Sequence, residues 1–176
     1  MPETRLTLHR HCTDEASTIE LGAALAQAMV RCELPGLLIT LRGDLGAGKT
    51  TLVRAILRGL GVTGRIKSPS YALVEPYAIE RKSLKLKGTL QTNAYHIDLY
   101  RFSDPNEWDD AGLRELLDGR SLCLVEWPER APALLPQADL DITLNPSPQG
   151  REIDLQSGSP VGAAMLHQLA SAATDV

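Results

Sequence analysis

Aromatic residues are scarce in this chain of 176 residues: one phenylalanine, two tryptophans and four tyrosines. Its core must therefore be built on Leu, Ile, Val and Ala, which suits an α/β domain. Cysteine is also rare. Cys12, Cys32 and Cys123 lie far apart, in neither a disulfide framework nor a zinc spacing, so a reducing cytoplasm is the expected setting. Cys123 sits inside an apolar run and is expected to be inert core. No run approaches about 18 apolar residues, which excludes a membrane-spanning helix, and the opening "MPETRLTLHRHCTDE" is too polar for a signal peptide. The formal net charge of −4 argues against binding nucleic acid over the whole surface, while leaving a local basic site open. There is neither an internal repeat nor a linker, and the length suits one domain spanning residues 1–176.

What the chain does have is one dense glycine motif. In "LLITLRGDLGAGKTTLVRAIL", Gly43, Gly48, Lys49 and Thr50 satisfy the spacing G-x-x-x-x-G-K-S/T. The apolar run Leu37–Leu41 before it reads as a buried strand. After it, Leu52, Val53, Ile56, Leu57 and Leu60 recur at helical spacing, and Gly59 and Gly61 mark a stop. Strand, glycine loop and helix are the context a phosphate cradle requires. Backbone N–H groups of the loop and the open helix N-terminus form a concave, partly positive anion site, and glycine lets phosphate approach without a Cβ clash.

The remaining pattern alternates. Thr4 to His9 is expected as a first strand. A helix follows, capped by Thr13 or Ser17, with Ser17 to Glu20 in capping-box form and Leu21, Leu25, Ala28 and Met29 on its apolar face to about Val30. Tyr71 to Tyr77 reads as strand, and Ala78 to Thr92 as a polar, basic interval in a long hairpin. "NAYHIDLYRF" is strand-like, Asn106 to Leu117 an acidic helix, and "SLCLVEWP" an apolar strand. Asp139–Leu144 and Arg151–Leu155 are short strands around a turn, and Pro160–Ala172 a last helix. One α/β domain with a central mixed sheet accounts for this order. His9 and His11, two apart near a strand end, fit surface better than metal.

Two carboxylates stand out. In "SLCLVEWPE", Glu126 ends an apolar strand that would emerge beside the loop. P-loop enzymes hold Mg²⁺ with the loop Ser/Thr and an acidic residue so placed; otherwise Glu126 is a polar strand terminus. In "YHIDLYR", Asp98 lies between Ile97 and Leu99. A buried carboxylate needs a metal, a cation or strong hydrogen bonds; a salt bridge with Arg101 or a solvated strand face are the plainer readings.

"GDLGAGKTT", "KSPSYALVEPY", "YHIDLYR", "DPNEW…GLRELL", "LCLVEWPER" and the late "QGRE" occur in one order, from about Asp14 to Glu152. Together they resemble the TsaE (YjeE) family, the ATPase component of bacterial threonylcarbamoyladenosine tRNA modification. The resemblance implies a cytoplasmic P-loop NTPase-type three-layer α/β domain that binds ATP and Mg²⁺. It also implies TsaB and TsaD as partners, with tRNA met indirectly or weakly. The transfer to adenosine 37 of ANN-decoding tRNAs would belong to the partners, and ATP hydrolysis here would sustain their turnover. By the same resemblance, Gly46, Ala47, Gly48, Lys49, Thr50 and Thr51 would hold the phosphates. Lys49 would contact the β- and γ-phosphates, Thr50 the Mg²⁺, and Thr51 the α-phosphate. Glu126 would be the Mg²⁺-side carboxylate and Asp98 a second catalytic or metal-shell acid. Ser68-Pro69-Ser70 looks like the family's switch loop, and Trp127 follows the acid as in the family. Glu15 and Arg151 match positions that touch nucleotide.

Two departures matter. Ser70 stands where threonine is usual, and the Ala78 to Thr92 interval is longer than expected and carries Arg81, Lys82, Lys85 and Lys87. That interval is either a solvated hairpin or a contact for RNA or an acidic partner. Two rival functions remain for a P-loop fold. A small-molecule kinase would need an arginine-bearing lid, and between Glu126 and Gly150 only Arg130 is available. A nonhydrolysing scaffold would share every binding residue. No arginine is an obvious finger for transition-state charge, so slow turnover in isolation is expected.

Overall fold

In the computed structural model, which describes residues 5–33, 36–69, 72–83 and 88–172, strand and helix alternate. The elements are β1 Thr7–Cys12, α1 Glu15–Cys32, β2 Leu37–Arg42, α2 Lys49–Gly59, β3 Val74–Ser83 and β4 Gly88–Asp98. They continue as α3 Pro105–Asp110, α4 Leu113–Leu116, β5 Leu122–Glu126, β6 Leu140–Ser147, β7 Gly150–Ser157 and α5 Pro160–Ala172. One seven-stranded sheet has the order β1-β7-β6-β2-β5-β4-β3. β2 pairs in parallel with β5 and β6, and β4 in parallel with β5. The pairs β1–β7, β6–β7 and β3–β4 are antiparallel, so the sheet is mixed, as expected.

The two-residue period of a strand sends alternate side chains to opposite faces, and β5 shows what that builds. Leu122 and Leu124 join a core with Leu25 of α1, Ile56 of α2 and Met165 of α5. Cys123 and Val125 join a second core with Trp108 of α3 and Leu113 of α4. The sheet is thus the middle of three layers. Cys123 is inert core as expected: burial pushes its thiol up to about 12, and its Sγ lies 3.3 Å from the Leu116 carbonyl.

Several boundaries differ from the sequence reading. The first strand runs Thr7–Cys12 instead of Thr4–His9. The cap of α1 is Asp14, whose carboxylate accepts from the Ser17 N–H, while the Ser17 hydroxyl receives the Asp14 N–H. Ser17 is therefore the third helical residue of a box begun by Asp14, not the cap of a box ending at Glu20. The single helix expected over Asn106–Leu117 is two short ones, broken where Gly112 turns left-handed at φ 65°. "NAYHIDLYRF" leaves the sheet at Asp98. The 78–92 interval is a long antiparallel hairpin, paired from Val74↔Ile97 to Ser83↔Gly88. Around the turn at 148–149, β6 and β7 extend to Ser147 and Gly150. His9 and His11 form a surface hydrogen-bonded cluster with Glu152 and Asp154. Thr4, Ser70, Tyr71, Lys85 and Lys87 lie outside the described residues.

The helix that follows the glycine loop, α2, packs closely on α1. A Cβ on Gly22 of α1 would lie 2.4 Å from the Ala55 Cβ of α2, and one on Gly59 would lie 2.6 Å from the Ala26 Cβ. Small residues facing each other from both sides hold α2 tightly against α1. Gly22→Val should therefore force the helices apart and cost about 1–3 kcal/mol, the usual penalty for overpacking. Urea denaturation checks this; an unchanged midpoint would show that the two helices are not in contact there.

Candidate functional site

β2 delivers the chain to the loop at 43–48, and α2 starts at once with Lys49. Gly46 and Gly48 adopt φ of 81° and 103°, values open to glycine and strained for residues with a Cβ. Lys49 is only 4% exposed, so its ammonium must find acceptors. It finds them in its own loop: Nζ donates to the carbonyls of Gly43 (2.6 Å) and Asp44 (2.9 Å). It also lies 4.0 Å from the centre of the Trp127 ring, within cation–π reach. Burial pushes the Lys49 pKa down, and the carboxylates of Glu126, Glu129, Asp98 and Asp44 oppose that. Trp127 has φ 59°, a conformation that costs a bulky residue on the order of 1–3 kcal/mol. That turn is what aims the indole at the ammonium.

Strand register brings in the acids. Leu41, Glu126 and Asp98 are opposite one another across β2, β5 and β4. Glu126 is 2% exposed. It accepts from the Thr50 hydroxyl at 2.9 Å through Oε1 and 3.2 Å through Oε2, so the strand end is tied to the first turn of α2. His96 Nε2 lies 2.7 Å from the same Oε1. Asp98 accepts the Tyr100 N–H at 2.9 Å. Burial pushes the Asp98 carboxyl above the ordinary carboxylate range; the Tyr100 N–H lowers it, and the nearby Glu126 charge adds to the rise.

Lys49, Thr50, Asp98 and Glu126 line one cavity of about 490 Å³, and His96 is not part of its lining. Of the residues singled out from sequence, Gly46, Gly48, Lys49, Thr50, Thr51, Asp98 and Glu126 line it, as do Ser68 of the switch-like loop and Trp127. Ala47 is buried beneath the loop and its N–H donates to the Asp44 carbonyl at 3.0 Å. Arg151 reaches the loop from β7: a Cβ on Gly48 would lie 2.0 Å from a guanidinium nitrogen of Arg151. Glu15 is exposed at the start of α1 and is not among the lining residues. The sequence reading assigned no role to His96, Leu45 or Tyr100, and weighed Arg101 only as a salt-bridge partner of Asp98. Leu45, Tyr100 and Arg101 all line the cavity. Their signal was present, since Leu45 lies within the glycine motif and the other two within "YHIDLYR".

A loop with an ammonium at its centre suits a phosphate chain, whose oxygens can replace the two carbonyls. The Thr50 hydroxyl and Glu126 carboxylate are hard oxygen donors of the kind Mg²⁺ prefers. Among the described residues there is no cluster of three or more His, Cys, Asp or Glu fit to hold a metal alone. A Mg²⁺ ion here would complete its shell with phosphate and water, as this ion commonly does. Among the described residues no helix is long and apolar enough to cross a membrane.

The family model described as "Threonylcarbamoyl adenosine biosynthesis protein TsaE" matches residues 12–153. The tRNA threonylcarbamoyladenosine biosynthesis protein TsaE of Haemophilus influenzae is 36% identical over 157 residues, 89% of this chain and 93% of that one. The protein of the same name from Bacillus subtilis is 38% identical over 121 residues, 69% of each chain. The crystal structure of Bacillus subtilis YdiB superposes with a TM-score of 0.70 at 27% identity, covering 96% of this chain and 95% of the other. The chain belongs to the TsaE family, and its α/β fold is of the P-loop NTPase type.

The Asp98 carboxyl gives a pH test. Its folded-state pKa lies above the unfolded one, so its contribution to stability is fully present below the unfolded value and is lost as pH rises through the folded value. Asp98→Asn keeps the acceptor for the Tyr100 N–H and removes the half-buried charge. The variant should melt higher than wild type at neutral pH, and the gap should close on acidification. A Tm difference independent of pH, read by calorimetry, would refute this account of Asp98.

Proposed function

We propose that the chain works as a single cytoplasmic P-loop ATPase domain in tRNA threonylcarbamoyladenosine biosynthesis. It would bind ATP with Mg²⁺ and hydrolyse it, so sustaining turnover of the TsaB–TsaD pair that modifies adenosine 37 of ANN-decoding tRNAs, with tRNA itself met indirectly or weakly. The observation that carries this reading is the convergence of Lys49 and the Thr50–Glu126 pair on one cavity. The names of the relatives support the pathway.

In this reading the backbone at Gly46, Ala47, Gly48 and Thr51 cradles the phosphates, with Thr51 at the α-phosphate. Lys49 moves its donors from the Gly43 and Asp44 carbonyls to β- and γ-phosphate oxygens. Thr50 and Glu126 hold Mg²⁺, which when bound neutralises charge developing on the transferring phosphoryl group. Asp98, with its carboxyl poised upward by burial, orients the attacking water and accepts its proton. Arg151, resting on Gly48, supplies positive charge at the loop. Glu15 is retained only as a nucleotide contact from outside the lining. Turnover in isolation is slow, because no arginine of the chain has the setting of an obvious finger and docking on the partner pair completes the site.

Lys49→Met keeps the stem against Trp127 and removes the ammonium. It should weaken ATP binding by about 1.5–3 kcal/mol, roughly ten- to hundred-fold, in a folded protein; unchanged calorimetric affinity would refute the cradle. Glu126→Gln should lower turnover far more than nucleotide binding. Turnover measured alone, with TsaB and TsaD, and with both plus tRNA should rise when the partners are added. Fast turnover without partners would contradict the control step, and phosphoryl transfer to a small metabolite would favour a kinase.

A further inference from the structure

His96 is fully buried on β4, and the one hydrogen bond its side chain makes among the described residues leads to the site. Nε2 lies 2.7 Å from Glu126 Oε1, and Nδ1 has no hydrogen-bond partner among the described residues. His96 faces Leu124 in the β4–β5 register, two residues below the Asp98–Glu126 pair. With a period of two, His96, Asp98 and Glu126 all point to the sheet face that α2 covers. The imidazole therefore sits under the carboxylate, on the side away from the cavity. A carboxylate that takes a cation only accepts, so in such a site Nε2–H is the donor of this bond.

We infer that His96 is a positioning residue that holds Glu126 in the orientation needed to take a divalent cation. The inference rests on the proposed reading of Glu126 as the metal-side carboxylate. The reason is geometric. Glu126 Oε1 receives both His96 and Thr50, while among the described residues Oε2 has only the longer Thr50 contact. When the Thr50 hydroxyl turns to a cation, His96 is the donor that remains, and it pins Oε1 while leaving Oε2 to face the cavity. A carboxylate without that pin can rotate about its last bond. Partners of this outer kind orient metal-binding groups, and losing one commonly costs about 10- to 100-fold in metal affinity. The plain alternative is a core histidine kept for packing. The unpartnered Nδ1 argues against it, because a buried polar atom without a bond costs stability and an apolar side chain of similar size would avoid that cost.

The test titrates Mg²⁺ into protein and a nonhydrolysable ATP analogue, following nucleotide binding by calorimetry, for wild type, His96→Leu and His96→Gln. Gln can place an amide N–H where Nε2–H stands; Leu cannot. The half-saturating Mg²⁺ concentration should rise about 10- to 100-fold in His96→Leu and return to within a few fold in His96→Gln, with metal-free nucleotide affinity the same in all three. His96→Leu taking up Mg²⁺ like wild type, or Gln and Leu failing alike, would overturn the inference. A wild type whose nucleotide binding ignores Mg²⁺ would instead refute the metal reading of Glu126 itself. The wild-type tautomer decides without any substitution: a nitrogen NMR signal with the proton on Nε2 supports the inference, and a proton on Nδ1 overturns it.

Discussion

The register of three parallel strands is the constraint on which the cavity depends. β2, β5 and β4 place Leu41, Glu126 and Asp98 side by side, at the edge where β2 gives way to the glycine loop. A one-residue slip of β5 would send Glu126 to the opposite face, among Trp108 and Leu113. What prevents the slip is the alternation of β5 itself, with Leu122 and Leu124 committed to one core and Cys123 and Val125 to the other. Two backbone bonds then lock the strand ends, from Leu99 N–H to the Glu126 carbonyl and from Trp127 N–H to the Leu41 carbonyl, at 3.1 and 3.2 Å. The same register that buries leucine thus aims the carboxylates.

Lys49 is the second element of that design. A buried ammonium needs acceptors wherever it lies, and its own loop provides two carbonyls. The loop is therefore curved around a positive charge that its own backbone satisfies. Trp127 accepts a left-handed backbone to cover that charge. Close packing of α1 on α2 through Gly22–Ala55 and Gly59–Ala26 keeps the helix carrying Lys49 and Thr50 from drifting away from β5. Stability and site geometry come from the same contacts, except at half-buried Asp98 and buried His96, where polar groups cost the fold something.

Local features were legible in the sequence, and cross-strand ones were not. The glycine loop, its strand and its helix lie within one short stretch, and their spacing carries its own meaning. The apolar runs of β2 and β5 marked buried strands, and Pro160–Ala172 matched its helix end to end. The cap of α1, expected at Thr13 or Ser17, is Asp14 between them; all three residue types cap well, and only the reciprocal bonds of Asp14 and Ser17 decide which one leads. The break at Gly112 was hidden by apolar spacing that continues across it. His96 and Glu126 are 30 residues apart, and nothing local says that β4 lies beside β5. Arg151 reaches Gly48 only because β7 folds back through β6 to the neighbourhood of β2. Glu15, proposed by position alone, stays outside the lining.

The central claim is that Lys49 holds the loop in a form ready for phosphate and that Thr50 and Glu126 complete the site with a cation. A crystal structure with Mg²⁺ and a nonhydrolysable ATP analogue tests it most directly. The account predicts Lys49 Nζ released from the Gly43 and Asp44 carbonyls onto phosphate oxygens, with Mg²⁺ between Thr50, Glu126 and the phosphates and the loop backbone unmoved. Nucleotide bound away from the loop, or Lys49 still on its carbonyls with phosphate present, would contradict it.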